Sequence, residues 1–418
     1  MINPVYCSAC SAFAQMQFAP SGDIWTNLIW FAFFIVFMLF YPRIVIAQTL
    51  FRLELSAQML EGLTRKAKAI VVRQITRNPS PKLRQEINNF LEFFVISPVS
   101  VDPYGIIKKI EHVMDLSEER FKYFVDQIAP KMDEEMKQNI KMGLSGAISL
   151  NEVSKQVRHF VELIRKTKNL QLALILQMQL PMIERISKAL LDGTEALSHG
   201  WTIGDSAGSF VAAHMAGSTK MREIEEDVML ASKTVAGRRV LILKAKGPGG
   251  RLGKIGKAVE KLVKRNRGKV SKIITVDAAA KLEGEKTGSI AQGVGVALGG
   301  VGVDRSYIEN VAVNKKIPLD SIVVKMAEEE AIQPIKPEIV SAIPKVQKLV
   351  EDDIRSTKGK GVIIIVGVGN SSGVGDSKAA AQKAEQLAKR ISLIVKKREK
   401  KLKEEEKKNW LKKFFLGG

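Results

Sequence analysis

The spacing of apolar positions changes three times along the chain. From Ile24 to Pro42 (IWTNLIWFAFFIVFMLFYP) it is unbroken, 19 residues without a charge and with only Thr26 and Asn27 clearly polar. A helix of that length covers the hydrocarbon core of a bilayer, about 30 Å, so a transmembrane anchor is expected over 24 to 48. From about 50 to 200 the apolar residues recur every three and four positions, as in Val153, Val157, Phe160, Val161 and Ile164, which predicts a helical bundle. Past 238 the pattern becomes short apolar runs fit for buried strands: RRVLILKA, VSKIITVDAAA with the strand ending at Asp277, SIVVKM at 321 to 326, and VIIIV at 362 to 366. Helical stretches such as KAVEKLVKRN lie between them, and strands alternating with helices predict a mostly parallel sheet with helices on both faces. The expected fold class is α plus α/β: one N-terminal transmembrane helix, a helical bundle, then a glycine-rich, mostly parallel α/β sandwich.

Local signals refine this outline. Ser80 followed by Pro81 spells a capped helix start, Ser117 with Glu118 and Glu119 spells another, and Ser149 with Glu152 spells a capping box. Leu170 to Ile183 (LQLALILQMQLPMI) is too short and too rich in glutamine for a second span, and is expected to be a core helix ending against Pro181. The expected domains are a short extracytoplasmic N-terminus (1 to 23), the anchor (24 to 48), a helical domain (49 to 200), an α/β domain (201 to 395) and a basic tail (396 to 418).

Charge orients the anchor. The chain carries 65 Lys and Arg against 44 Asp and Glu, a net +21, yet residues 1 to 42 hold no basic residue. Arg43, Arg52, Arg65, Lys66, Lys68, Arg73 and Arg77 all follow the apolar run, and Trp25, Trp30 and Tyr41 sit at its ends like interfacial anchors. These features predict a single-pass cell-membrane protein with its N-terminus, including Cys7 and Cys10, outside and its bulk in the cytoplasm. The tail from Lys396 has ten basic and four acidic residues, followed by Trp410, Leu411, Phe414 and Phe415. It is expected to lie on an anionic lipid surface; a nucleic-acid arm is the less favoured alternative.

Four histidines and two cysteines leave little material for a zinc cluster, and His112 and His159 have no ligand companions at useful spacing. Gly204-Asp205-Ser206-Ala207-Gly208 spells a nucleophile elbow, but no adequate strand precedes it and no histidine follows His214, which argues against a serine hydrolase. Gly247, Gly249, Gly250, Arg251 and Lys254 form a glycine loop between strand and helix that could hold an anion, although its spelling is not that of a P-loop. Asp277, near Glu283, Glu285 and Lys286, stands at a strand tip where ligands often bind. Gly293 to Gly302 is expected to pack closely against another backbone or to form a loop near a ligand. The last loop holds Gly367, Gly369, Asn370, Gly373, Gly375, Asp376 and Ser377. Its side-chain oxygens suit a cation, a hydroxyl or a peptide better than a pyrophosphate.

On the anchor and on GDSAGSFVA (204 to 212), VDAAAKLEGEKTGSIAQGVG (276 to 295), VKMAEEEAI (324 to 332) and VGVGNSSGVGD (366 to 376), the chain resembles an archaeal single-pass membrane family known only as a domain of unknown function. That resemblance implies no activity. A remoter one is to hydrogenase-maturation and germination proteases: Gly367-Val-Gly-Asn370 with Asp376 looks like their first loop, and Asp277 like their second acid. Here the loop ends the domain instead of opening it, and a metal-binding histidine is missing after His214.

The leading expectation is a membrane-anchored protein whose α/β domain binds a nucleotide or other phosphorylated small molecule. Asp205, Asp277 and Asp376 are the acids of interest and Asp277 and Asp376 the catalytic candidates; the cofactor is left open, a nucleotide and a divalent cation both being compatible with these residues. A non-catalytic scaffold contacting anionic lipid or RNA is one alternative, and a metallopeptidase-like enzyme is the other.

Overall fold

The computed structural model describes residues 24–98, 105–267 and 269–415. Cys7 and Cys10 lie outside the described residues, as do the side chains of Trp410, Leu411, Phe414 and Phe415.

Helix α1 (Ile24–Ile75) runs unbroken for 52 residues, with Pro42 inside it. Its first half is long and apolar enough to cross a membrane, and Leu28 to Tyr41 are exposed. Its second half packs Leu53, Ala57, Leu60, Ala67 and Val71 into the bundle core. Short α2 (Pro81–Phe90) begins where the sequence placed it: the Ser80 hydroxyl accepts from Leu83 N at 3.1 Å. Then come α3 (Ile106–Ile128), α4 (Glu134–Thr167) and α5 (Leu170–Ser198).

Three expected boundaries here are corrected. Ser117 lies inside α3 and Ser149 inside α4; the working cap of α4 is Asp133, which accepts from Met136 N at 2.7 Å. A capping spelling acts only where the preceding residues leave the helix, and here they do not. Pro181 lies within α5, not at its end. Two glycines of α4 are contact points. A Cβ on Gly143 would stand 2.1 Å from Ser198 Oγ, and one on Gly146 would stand 2.6 Å from Thr194 Oγ1, both on α5.

A single 3₁₀ turn (Gly204–Ser206) leads into α6 (Ala207–Ala216), and the sheet follows. Its strands are β1 (Arg222–Glu225), β2 (Val228–Val235), β3 (Arg238–Ala245), β4 (Val270–Ala280), β5 (Ile290–Val294), β6 (Leu319–Met326) and β7 (Val362–Gly367), in the spatial order β1-β2-β3-β7-β4-β6-β5. The sheet is mixed. The central pairs β3-β7, β7-β4 and β4-β6 are parallel, while β1-β2, β2-β3 and β5-β6 are antiparallel. The expectation of a mostly parallel sheet therefore holds for its centre only, because the β1-β2 hairpin and β5 give no continuous apolar run.

Helices α6, α10 (Pro337–Ser356) and α11 (Lys378–Phe415) cover one face of the sheet. On the other face lie α7 (Ile255–Arg265) and α8 (Val303–Lys315). The short helix α9 (Glu328–Ile332) packs against α5. Helix α11 reaches back to the bundle, where Arg398 pairs with Glu195 of α5 at 2.8 Å.

Candidate functional site

The carboxyl ends of β4 and β7 lie side by side at the centre of the sheet, their pairing closing at Val276 and Gly367, and Val368 N donates to Val276 O at 2.8 Å. Helix α6 lies across these ends because its residues are small. A Cβ on Gly208 would stand 2.2 Å from Val276 O and 2.3 Å from Val368 O, and one on Gly367 would stand 2.4 Å from Gly208 O. The helix can approach only as glycine and alanine allow. That approach brings Asp205, at the start of α6, onto the loop after β7, where Asn370 N donates to Asp205 Oδ2 at 2.8 Å. Ser209 Oγ donates to Gly369 O at 3.1 Å.

Asp277 faces the same crevice. It does not end its strand, since β4 continues to Ala280 beside β6; it stands just past the point where β7 stops. It is 5% exposed, and its Oδ1 accepts from Ala278 N at 2.7 Å. Burial first, and the negative charge of Asp205 second, push the Asp277 carboxyl well above the ordinary range, against hydrogen bonds from the Ala278 and Gly299 amides. Burial also raises Asp205, against the Asn370 amide. Asp205 is only partly buried. Two carboxyls thus meet without a cation between them, and among the described residues no group of three His, Cys, Asp or Glu could hold a metal. Ser206, between Asp205 and α6, is fully buried with no partner for its hydroxyl.

The other expected site residues take different places. The glycine loop before α7 serves as a joint between the two halves of the chain. Gly249 N donates to Glu135 Oε2 at 2.5 Å, and Arg251 holds the same carboxylate with two bonds, at 2.8 and 3.0 Å. Gly250 N donates to Asn139 Oδ1 at 3.4 Å. Lys254 lies 3.1 Å from Asp115 of α3 and 2.7 Å from Glu226. Arg251 Nε also lies 3.1 Å from Asp227 Oδ1. The basic groups that were expected to hold an anion thus face carboxylates of this chain.

Asp376 is likewise engaged. Its Oδ1 accepts from Lys244 Nζ at 2.6 Å and from Gly247 N at 3.0 Å. Lys244 is fully buried, and its ammonium also donates to Ala245 O at 2.6 Å and Val374 O at 3.3 Å. A lone lysine in the apolar run VLILKA signals an acidic partner elsewhere in the chain, here the partly buried Asp376, and the sequence reading missed it. The Asn370 side chain closes its own turn, Oδ1 accepting from Ser372 N at 2.8 Å. Ser371 Oγ, which the sequence reading did not single out, ties the two glycine loops together: it accepts from Arg251 N at 3.2 Å and lies 2.6 Å from Lys246 O and 2.8 Å from Gly249 O, which share its one proton. Gly373 takes a positive φ of 72°, and Gly375 meets the Ala380 side chain. Ser377 Oγ accepts from Ala380 N at 3.2 Å in the first turn of α11.

Of the segment from Gly293 to Gly302, only the start packs against another backbone: Gly293 and Val294 pair with Ser321 and Asp320 of β6, and Gly295 N donates to Leu319 O at 3.0 Å, while Gly299, Gly300 and Gly302 have open space where a Cβ would stand. Past β5 it is a loop, held by Ala297 N on Ser321 Oγ at 2.8 Å and reaching Asp277 through the Gly299 amide. His214 lies in the third turn of α6, with Nε2 3.0 Å from Glu385 of α11, and the segment before Gly204 carries one isolated bridge, Ile203 to Pro334, in place of a strand. No nucleophile elbow forms.

Two cavities lie away from the crevice. One, of about 440 Å³, is lined by Phe90, Phe93, Phe94, Tyr123 and Phe124 in the helical region, and the other, of about 420 Å³, by Arg185, Lys188, Lys281, Glu329 and Lys336. Neither is lined by Asp205, Asp277 or Asp376.

Comparison with known families gives two matches. A model described as the N-terminal domain of a protein of unknown function, DUF1512, matches residues 27–200, and one described as the C-terminal domain of unknown function of DUF1512 matches residues 203–375. No curated protein and no solved structure matches.

Proposed function

The chain belongs to the two-domain DUF1512 family, and from that premise we propose that it is a membrane-anchored binding protein whose α/β domain takes a small ligand bearing an amine or adjacent hydroxyl groups. Helix α1 is the anchor, and Asp205 and Asp277 are the polar contacts for the ligand. The observation that carries this reading is that the buried Asp277 and the partly buried Asp205 stand close enough for one charge to raise the other carboxyl, with no cation among the described residues paired to either, beside the ends of the β4-β7 pairing. Strand ends of parallel sheets are where α/β proteins bind ligands, and strongly shifted acids in a cleft mark functional sites. A ligand that donates protons to both carboxyls relieves their repulsion. The hydroxyls of a ribose fit this requirement, so a nucleoside remains within the class. A ligand held chiefly through phosphate fits less well, because Arg251 and Lys254 already face Glu135, Asp115 and Glu226.

The acids supply a test whose sign can be derived. A carboxyl with a raised native pKa binds more protons when folded than when unfolded. Its contribution to stability is therefore complete below the unfolded value, about 3.9, and is lost as the pH rises towards the raised native value. Asp277→Asn removes that loss. In the detergent-solubilised full chain the variant is expected to match the parent near pH 4 and to melt at a higher temperature at pH 8. It is also expected to lose the thermal shift that amines, polyols or nucleosides give the parent. A lower melting temperature for Asp277→Asn at pH 8, or a parent that shifts with none of these compounds, would overturn the assignment.

A further inference from the structure

The cavity of about 420 Å³ beside α9 lies across the boundary between the two matched domains. Arg185 and Lys188 of α5 line it from the N-terminal domain, and Lys281, Glu329, Glu330 and Lys336 from the C-terminal one. The domains are pressed together beside it. A Cβ on Gly193 of α5 would stand 2.7 Å from Ile332 O of α9, and Gln333 Nε2 donates to Asp192 Oδ2 of α5 at 2.9 Å. Its size falls within the range of small-molecule sites, about 300 to 1,000 Å³.

Two of the three acids that line it are already paired. Glu330, 8% exposed, accepts from Lys336 Nζ at 2.7 Å, Thr287 Oγ1 at 2.7 Å and Ala327 N at 2.8 Å. Glu329 takes the Nε of Arg185, which leaves both terminal nitrogens of that guanidinium without a partner among the described residues. Lys188, exposed on α5, has no partner among the described residues either. Lys281 Nζ reaches only the Glu285 carbonyl, at 3.2 Å, because the Glu285 carboxylate is held by Lys325 and by Leu282 N at 2.7 Å. Against these three cations the lining sets one further carboxylate, Glu283, exposed at the rim. Like charges brought together from two domains repel, and a concave wall focuses their field on whatever enters.

We infer that this cavity is a phosphate site, filled by a soluble phosphorylated compound that joins the two domains. Arg185 offers a planar fork, the shape that meets phosphoryl oxygens with parallel hydrogen bonds, and Lys188 and Lys281 add point charges from the two sides of the joint. The bound anion turns repulsion across the joint into attraction, and so stabilises the joined form by mass action. Anionic lipid carries the same headgroup chemistry, but height above the membrane separates the two sources. Ser56 Oγ donates to Glu184 Oε1 at 2.6 Å, which sets this part of α5 level with Ser56 of α1. From Pro42, the end of the uncharged run, to Ser56 the helix rises about 21 Å, whereas the headgroup layer is about 5 to 8 Å thick on each side. The choice of a soluble ligand rests on the reading of α1 as a span; the site itself rests neither on that reading nor on the ligand of Asp205 and Asp277.

The test is isothermal titration calorimetry of the full chain in nanodiscs, with inorganic phosphate and pyrophosphate as probes, at about 0.15 M salt, where the Debye length is about 8 Å. The expected result is saturable binding, weakened about tenfold or more by Lys188→Gln with Lys281→Gln, the loss of two charge-assisted hydrogen bonds. Lys188→Gln alone, at an exposed position that makes no other contact of its charge, is expected to show part of that loss at the parental melting temperature. Lys345→Gln with Lys348→Gln removes the same charge from exposed positions of α10 and is expected to leave the affinity as it was. Affinity is also expected to be equal in discs of phosphatidylcholine and in discs that include phosphatidylglycerol. No heat with either probe, or affinity unchanged in both cavity variants, would overturn the site. Equal losses in the cavity and α10 double variants would reduce it to general charge and overturn it as well. Loss of pyrophosphate binding only in discs with phosphatidylglycerol would give the cavity to a lipid headgroup and overturn the soluble ligand.

Discussion

Asp376→Ala is expected to cost the α/β domain about 3 to 5 kcal/mol, the usual result of removing one partner from a buried ion pair. Lys244 is fully buried, and burial pushes its ammonium down from the ordinary lysine range while Asp376 opposes that shift. Without the carboxylate the ammonium keeps only the carbonyls of Ala245 and Val374, and Gly247 N loses its acceptor. Chemical denaturation of the full chain in detergent measures the loss. The double variant Lys244→Met with Asp376→Leu should recover most of it, since replacing both members of such a pair by apolar residues is often neutral. If Asp376→Ala keeps parental stability yet abolishes the thermal shift with ligand, Asp376 acts on the ligand and its structural role is wrong.

The second large effect belongs to Gly208. A methyl group there would fall 2.2 Å from Val276 O, 2.3 Å from Val368 O and 2.7 Å from Val368 N, all backbone atoms of the central strands and their extension. Nothing flexible can give way, so α6 must lift from the sheet. Overpacking of this kind costs about 1 to 3 kcal/mol and sometimes more. Because Asp205 rides on the same turn, Gly208→Ala is also expected to weaken the ligand response. Gly293→Ala is the control, since a Cβ there meets nothing within 4 Å; it should change neither quantity. Parental stability in Gly208→Ala would mean that α6 and the strands are not packed so closely.

The parts of this architecture that could be read from sequence are those set by neighbours along the chain. The apolar run of α1, the buried strands β3, β4, β6 and β7, and the Ser80 cap each follow from a few consecutive residues. The errors arose where a local spelling has two physical uses. The loop from Gly247 to Lys254 offers amides and cations as a phosphate loop would, but Glu135 and Asp115, more than a hundred residues earlier, face them. The closeness of Asp205 and Asp277 is long-range for the same reason: neither residue has a neighbour in sequence that announces the other. Strand β4 hid its site residue in another way. Its pairing with β6 continues after its pairing with β7 has ended, so Asp277 is at the tip of one pair and inside the other.

Helix α1 passes from the apolar run into the bundle core without a break. A flexible tether would let the two parts turn independently, whereas here each residue sets an angle. One residue inserted near Gln48 would swing everything beyond it by about 100° about the helix axis, and removing one would swing it equally the other way. The azimuth of the bundle about the apolar run is therefore counted out in residues along a single rod.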